Sequence, residues 1–519
     1  MSAAKTGVSK AGSEPREFEL KLEFDPADRG KIEAHPLLAA TQPERQTLIS
    51  VYYDSDDLAL QQARVTLRVR KFGTRYVQAI KAMDGTAQLF ERPEWEHEVP
   101  GREPDLNLAA GTALEPLLTE TVRASLQPLF RTRIERTVYR LPSNGSEVEL
   151  VLDQGEIEAA CRCSPVHELE LELKQGSPAE LFRLARSLAA TLPLQLAVKT
   201  KAERGYELAG GAALAAERAA RLELDPGTTC QQAFRAIGEN CLRQIVVNES
   251  GVCAGEAEAL HQMRVGLRRL RAAIAVFAKV VADSKRDRIK SELKWITTEL
   301  GPARDLDVFA ADVLEPLGKH RTQHAKLAET RLVFAENRAK AYAAAVGSVR
   351  SDRFRNVLLD VAEWIEVGPW TADESLSARR ERPVQEHAAK MLDKMRKYIR
   401  KKGSKLRELE VAERHKLRIK AKNLRYAIEF FAGVFPGDQT AKRRETALSS
   451  LKELQDALGA LNDLAAREAL IANGHDLADH ATGLVASQEA EVGPLLDRAE
   501  AAHASFAKVK SFWDQSHLQ

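Results

Sequence analysis

The sequence predicts an α+β chain of two modules, an antiparallel β-barrel with flanking helices followed by an all-helical pair of similar bundles. Three observations predict it. Before about residue 210, charged and apolar residues alternate with period two, the signature of strands with one apolar face. From about Pro226 onward, apolar residues recur at spacings of three and four, and β-branched runs disappear. Within that second half, two separate sequence patterns each occur twice and in the same order.

The elements follow in order. Residues 1–15 are small and polar with no apolar stretch, which predicts a tail and not a signal peptide. Strands are expected where Phe18, Leu20 and Leu22 alternate with Glu17, Glu19 and Lys21, and where Val65, Leu67 and Val69 alternate with Arg64, Arg68 and Arg70. The row Arg92, Glu94, Glu96, Glu98 has the same form, as do Arg131, Arg133, Glu135 and Glu168, Glu170, Glu172. Phe72-Gly73 and Ser143-Asn144-Gly145 mark turns, and a helix is expected from Pro178 to Ala190. Gly210-Gly211 opens a linker over 209–225. The helical half divides near the polar stretch Thr371–Pro383 into repeats at about 226–370 and 384–510.

Each alternating strand alone fits a sheet with one wet face. Repetition argues for more. Carboxylate and guanidinium rows recur on separate strands, always opposite an apolar face, as a closed barrel with a polar lumen requires. Three carboxylates roughly 7 Å apart on one strand repel one another unless cations lie between them. Lys and Arg can serve, and so can hard divalent ions. Such a lumen suits a metal-chelated polyanion, with basic groups on phosphate oxygens and acidic groups on the metal.

The same residues resemble a known family. Glu17-Phe18-Glu19-Leu20-Lys21 has the Glu-x-Glu-x-Lys form that opens CYTH, or triphosphate tunnel, domains. Tyr52-Tyr53-Asp54, Leu67-Arg68-Val69-Arg70, Ala79-Ile80-Lys81, Arg92-x-Glu94-x-Glu96, Glu168-x-Glu170-x-Glu172 and Lys199–Tyr206 follow in order, so the resemblance spans 16–208. It implies an eight-stranded antiparallel tunnel acting on triphosphates with Mg²⁺ or Mn²⁺. It assigns Glu17, Glu19, Asp153, Glu168, Glu170 and Glu172 to metal. Lys21, Arg68, Arg70, Lys81, Arg133, Lys201 and Arg204 are assigned to phosphate, and Glu94 and Glu96 complete the lumen. Family members act on inorganic triphosphate, on thiamine triphosphate, or on ATP in cyclic AMP formation. Fusion to a helical module resembles the bacterial inorganic triphosphatases. His97 and His167 lie outside the matched positions and carry no expected role.

In the helical half, His261, Arg264, Arg268 and Arg271 fall within an arc of about 80° at 100° per residue, opposite Met263, Leu267, Leu270 and Ile274. His415, Arg418, Lys422 and Arg425 repeat the tetrad opposite Leu417, Ala421, Leu424 and Ile428. A solvated helix face does not explain the same basic tetrad twice, since like charges at such spacing are mildly destabilising. A second repeat, Leu300-Gly301 with Asp305 and Leu458-Gly459 with Asp463, follows each tetrad, and the two aspartates read as helix caps. The signature resembles the CHAD domain over about 226–510, which implies paired four-helix bundles around a basic groove for inorganic polyphosphate.

Composition excludes other classes. Lys and Arg total 77 against 75 Asp and Glu, too balanced for a nucleic-acid coat protein, and aromatic residues at 6% are too sparse for base stacking. Five cysteines suit a reducing compartment and no disulfide scaffold. No run of 18 apolar residues suggests a membrane span. A cytoplasmic metal-dependent inorganic triphosphatase with a polyphosphate-binding module, associated with polyphosphate granules, is the expectation. The rival is a non-catalytic polyphosphate-binding or granule-targeting protein.

Overall fold

A computed structural model describes residues 16–82, 89–211, 216–311, 324–472 and 489–513. The expected tail at 1–15 and residues 212–215 of the expected linker lie outside them. The chain separates into two compact units, 1–215 and 216–519.

The first unit is a closed antiparallel barrel. Its strands are β1 (Arg16–Glu23), β2 (Glu44–Asp54), β3 (Val65–Phe72), β4 (Arg75–Ala82), β5 (Glu91–Val99), β6 (Gln127–Ser143), β7 (Ser146–Ala159) and β8 (Arg162–Gln175). They run in the order β5-β4-β3-β2-β6-β7-β8-β1, and a β1–β5 pairing closes the ring. A short ninth strand, β9 (Gln195–Ala197), pairs with the inner end of β1. The β6–β7 hairpin turns through Asn144 and Gly145, both at positive φ, with Ser143 paired to Ser146. That is the two-residue turn whose twist matches paired strands.

Register decides which residues share the lumen. Glu19 lies opposite Glu172, Lys21 opposite Glu170, and Glu23 opposite Glu168. Asp153 lies opposite both Glu168 and Arg136. The interleaved residues Leu20, Leu22, Leu150, Leu152, Leu169 and Leu171 are all buried on the outer face. The helix Ala179–Ala189, which covers that face, buries Leu181, Phe182, Leu184 and Leu188. At one end of the lumen the wall turns apolar. Leu48, Tyr52, Phe130, Ile134, Ile157 and Val166 pack there against Ala202 and Tyr206 of the helix Lys201–Gly210, which plugs that end.

The second unit is helical. Cys230–Val246 and Val384–Gly403 open its two repeats, followed by Ala257–Val276 and Val411–Phe430. The openings pair with each other: Cys230 N–H donates to Arg382 O at 2.9 Å and Val384 N–H to Thr228 O at 2.7 Å. Phe277 and Phe431, which follow the two tetrads at the same interval, meet at 5.9 Å between ring centroids. Further helices complete each repeat: Arg286–Glu299, Gly301–Phe309, His324–Val349 and Asp352–Val367 in the first, and Asp438–Ala472 and Glu489–Lys508 in the second. The expected linker does not run free throughout. Leu222 and Leu224 are buried, and Glu217 N–H donates to Asn248 Oδ1 at 3.1 Å. Among the described residues no helix is long and apolar enough to cross a membrane.

Candidate polyanion sites

The barrel lumen gathers the charged rows into two zones. At the plugged end, carboxylates and cations neutralise one another. Lys201 Nζ lies 2.9 Å from Asp153, 2.5 Å from Glu168 and 2.9 Å from Glu170. Lys21 lies 2.9 Å from both Glu19 and Glu170. Arg204 reaches Glu168 at 3.0 Å. Arg136 spans Asp153 with bonds of 2.7 and 2.6 Å and reaches Glu170 at 3.0 Å. Burial alone would raise the Glu170 carboxyl, but Lys201, Lys21 and Arg136 outweigh it and hold it well below the usual range. On the facing wall, Lys81 bridges Glu17 and Glu94 at 2.9 Å each, and Arg68 bridges Glu94 at 3.3 Å and Glu96 at 3.5 Å.

Arg70 differs. Among the described residues it has no carboxylate within ion-pair distance, and its Nε donates only to Ser50 Oγ at 3.2 Å. Burial and the adjacent Arg68 lower its guanidinium to about 10. A half-buried cation without an ion-pair partner is costly to hold, so this geometry favours an anion between the two walls.

The opposite zone is acidic. Glu172 lies across the strands from Glu19 on one side and Glu149 on the other, with Glu17 two residues along β1. Burial and the charge of Glu17 raise the Glu172 carboxyl to about 7. Cations offset this patch too, since Lys174 contacts Glu172 and lies 3.9 Å from Glu149, while Lys21 holds Glu19 and Lys81 holds Glu17. Its donors are the hard oxygens that Mg²⁺ and Mn²⁺ favour. Among the described residues no three acidic, His or Cys side chains converge as a ready-made cage. The carboxylates of this zone that fit a divalent ion, in place of those lysines, are Glu17, Glu19 and Glu172, with Glu149 beside them. Asp153, Glu168 and Glu170, also expected among the metal ligands, pair with Lys201, Arg136, Lys21 and Arg204, much as Glu17, Glu19 and Glu172 pair with Lys81, Lys21 and Lys174.

One expected phosphate ligand faces the wrong way. Arg131, Arg133 and Glu135 are exposed, while Thr132, Ile134 and Arg136 face inward. Phe130 and Ile134, interleaved with this row, are apolar residues of the strand. They line the plugged end of the lumen, and Arg136 takes the place expected of Arg133. His97 is exposed, and His167 lies beside the Phe24 ring at 6.1 Å.

In the helical unit, both tetrads are half-buried or exposed along helices whose opposite faces form the core. Arg264 Nη1 donates to Thr297 O at 2.7 Å. That carbonyl lies near the break between two helices, where Arg264 Nη1 would stand 3.8 Å from a Cβ added at Gly301. In the second repeat Gly459 stands in the same relation to Arg418, closer, at 3.3 Å. Arg268 and Arg418 each hold a buried Nε–H with no hydrogen-bond acceptor. The histidines differ. Burial and Arg304 lower His261 to about 4, so it is neutral at pH 7. His415 is exposed, with Nδ1 at 2.9 Å from Asn462 Oδ1. Arg304 and Asn462 occupy equivalent places and escaped notice in the sequence, where attention fell on the neighbouring aspartates. Asp305 is no cap; it sits inside the helix Gly301–Phe309 and offsets the charge of Arg264. All five cysteines are free, and burial raises the Cys230 and Cys241 thiols to about 11, as inert packing residues require.

Comparison with known proteins agrees with this division. Residues 15–206 match the CYTH domain and residues 236–472 the CHAD domain. An inorganic triphosphatase of Haemophilus influenzae is 32% identical over 197 residues, a match covering 37% of this chain and 55% of that protein's own length. Among solved structures, the CHAD domain of Ricinus communis is 28% identical with a TM-score of 0.47, covering 57% of this chain and 98% of that one. A candidate adenylyl cyclase from Hippeastrum, described as having a dominant triphosphatase activity, is 16% identical with a TM-score of 0.29, covering 38% of this chain and 97% of that one.

Proposed function

We propose that this chain, a CYTH domain joined to a CHAD domain, hydrolyses inorganic triphosphate to diphosphate and phosphate in the barrel lumen and binds inorganic polyphosphate on the two basic helices. The observation that carries the first half is the lumen itself: a half-buried Arg70 with no carboxylate in ion-pair reach among the described residues stands beside other cations, and an acidic zone adjoins them. Inorganic triphosphate is a chain of three phosphates with no base or sugar to recognise, and the polar part of the lumen offers charge and few flat apolar surfaces.

Phosphoryl transfer is served mainly by positioning and charge. Arg70, Lys81 and Arg68 hold phosphate oxygens from one wall; Lys21, Arg136, Lys201 and Arg204 hold them from the other. Each of those seven except Arg70 exchanges a carboxylate partner for a phosphate oxygen as substrate enters. Glu94 and Glu96 keep Arg68 and Lys81 aimed inward. Glu17, Glu19 and Glu172 would hold Mg²⁺ or Mn²⁺, which supplies further charge neutralisation on the phosphate chain. Across the helical unit, His261, Arg264, Arg268 and Arg271 with His415, Arg418, Lys422 and Arg425 serve a flexible polyanion, supported by the unsatisfied donors of Arg268 and Arg418.

The test is phosphate release by the full chain from inorganic triphosphate, ATP, thiamine triphosphate and long-chain polyphosphate, with and without Mg²⁺ or Mn²⁺. Inorganic triphosphate is expected to give the highest kcat/KM and to require metal. Preference for ATP or thiamine triphosphate would move the chain to another CYTH activity. No turnover of any substrate would favour the non-catalytic polyphosphate-binding reading.

A further inference from the structure

Asp54 closes the Tyr52-Tyr53-Asp54 landmark but has no role in the chemistry above. It is only 1% exposed. Its Oδ1 accepts the backbone N–H of Ser55 at 2.7 Å and of Leu60 at 2.9 Å. Its Oδ2 accepts the N–H of Gln61 at 2.9 Å and the hydroxyl of Tyr206 at 2.8 Å. The carboxylate is therefore fixed to the barrel wall by three backbone donors and offers its remaining acceptor site to one side chain of the plug helix. Burial and the Asp54 charge raise the Tyr206 phenol above its ordinary range, which keeps it a donor.

The plug helix is seated closely at this point. Tyr206 meets the Phe130 ring at 5.2 Å, and Phe130 stacks on Tyr52 at 4.5 Å. A side chain at Gly205 would stand 2.1 Å from the Phe130 ring, so the glycine allows the approach. The capping box of Thr200 and Glu203 is internal to the helix and its cap and does not tie it to the wall. Arg162 holds the last turn through Leu208 O at 2.9 Å, on the exposed side. Arg204 Nη2 also donates to Ser164 Oγ at 3.1 Å and to Pro165 O, both nearer the surface. Apart from these and the lumen ion pairs, the Tyr206–Asp54 bond is the fully buried polar tie between helix and barrel among the described residues. Lys201 and Arg204 stand on the same helix, five and two residues earlier, and both reach into the lumen.

We propose that Asp54 and Tyr206 are positioning residues, whose hydrogen bond sets the depth and rotation of the plug helix so that Lys201 and Arg204 meet the phosphate oxygens of the substrate. This rests on the triphosphatase reading for its kinetic consequence but not for its structural one. When a phosphate chain takes the carboxylates' place on Lys201 and Arg204, the ion pairs that also anchor the helix are released. The Tyr206–Asp54 bond then keeps the two cations in register.

The test uses full-length Tyr206→Phe, which removes one oxygen and keeps the ring. Without ligand, backbone amides of 201–210 should exchange with deuterium faster than in the wild type. KM for inorganic triphosphate should rise roughly 5- to 10-fold while kcat stays within about 2-fold, the pattern of lost uniform binding. In an Arg204→Ala background the same substitution should change KM by less than about 2-fold, because the effect acts through that side chain. Unchanged exchange at 201–210 would overturn the tie whatever the activity proves to be. A lower melting temperature with KM unchanged, or effects that simply add in the double variant, would overturn the positioning role. A wild type that turns over no triphosphate would instead defeat the functional reading and leave the exchange result to judge the tie.

Discussion

At the scale of single residues, Glu172 reports most directly on the acidic zone. Its folded-state carboxyl lies at about 7 against an ordinary 4.5, owing to burial and Glu17. A raised carboxyl favours the protonated form in the fold, so its contribution to stability is complete below about 4.5 and is lost as pH rises through about 7. In chelator, Glu172→Gln should therefore melt close to the wild type at pH 5 and above it at pH 8. The checking measurement is the difference in melting temperature across that range. A difference that is flat, or that shrinks with pH, would remove the strain assigned to this zone. Single residues also show where the sequence was legible. The rows on β1, β3, β5 and β8 were read with the right parity because the apolar residues interleaved with the charged ones lie on the covered outer face. β6 misled, because Phe130 and Ile134 are apolar and yet face inward under the plug helix. No local pattern separates an apolar lumen end from an apolar outer face. Only the register with β7, which sets Arg136 against Asp153, makes the choice.

At the scale of elements, the two basic helices were legible in full as a repeated tetrad, since helical spacing alone places the charges opposite the core. The supporting contacts were not. Leu300-Gly301 and Leu458-Gly459 were seen as a repeat, but nothing in the spelling showed that each glycine makes room for an arginine from the preceding tetrad. The two differ in closeness, and that difference is measurable. A Cβ at Gly459 would stand 3.3 Å from Arg418 Nη2 and displace the guanidinium, whereas one at Gly301 would make ordinary contact with Arg264 at 3.8 Å. Gly459→Ala should raise the melting temperature, since alanine is favoured over glycine within a helix by about 1 kcal/mol. It should also weaken long-chain polyphosphate binding by about 2- to 5-fold at fixed salt, a change of under ~1 kcal/mol. Gly301→Ala should leave that affinity unchanged. Calorimetric titration at two salt concentrations checks both. Equal effects from the two substitutions would mean that Arg418 does not touch the polyanion.

At the scale of the whole molecule, the proposed function gives the chain two polyanion sites of different construction. The barrel site is enclosed, pairs each cation but Arg70 with a carboxylate, and adjoins an acidic zone suited to metal. The helical site is an open stripe of cations with few acidic partners, suited to a long chain of variable length and needing no metal. The period-two and period-3.6 patterns announced that division from the sequence, because each module is uniform in its own periodicity. The plug helix and its contacts were less legible, since they join residues about 150 positions apart, as Asp54 and Tyr206 do.

The most direct test of this account is the initial rate of phosphate release from inorganic triphosphate, with saturating Mg²⁺, by two full-length variants compared with the wild type. One is Arg136→Ala, in the lumen; the other combines Arg264→Ala, Arg268→Ala, Arg418→Ala and Lys422→Ala, on the helices. Melting curves establish that each is folded. The Arg136 variant should lose about 100-fold or more, the scale of removing one fixed charge that contacts the reacting phosphates. The helical variant should stay within about 2-fold of the wild type. A helical variant that loses hydrolysis while Arg136→Ala retains it would contradict the account.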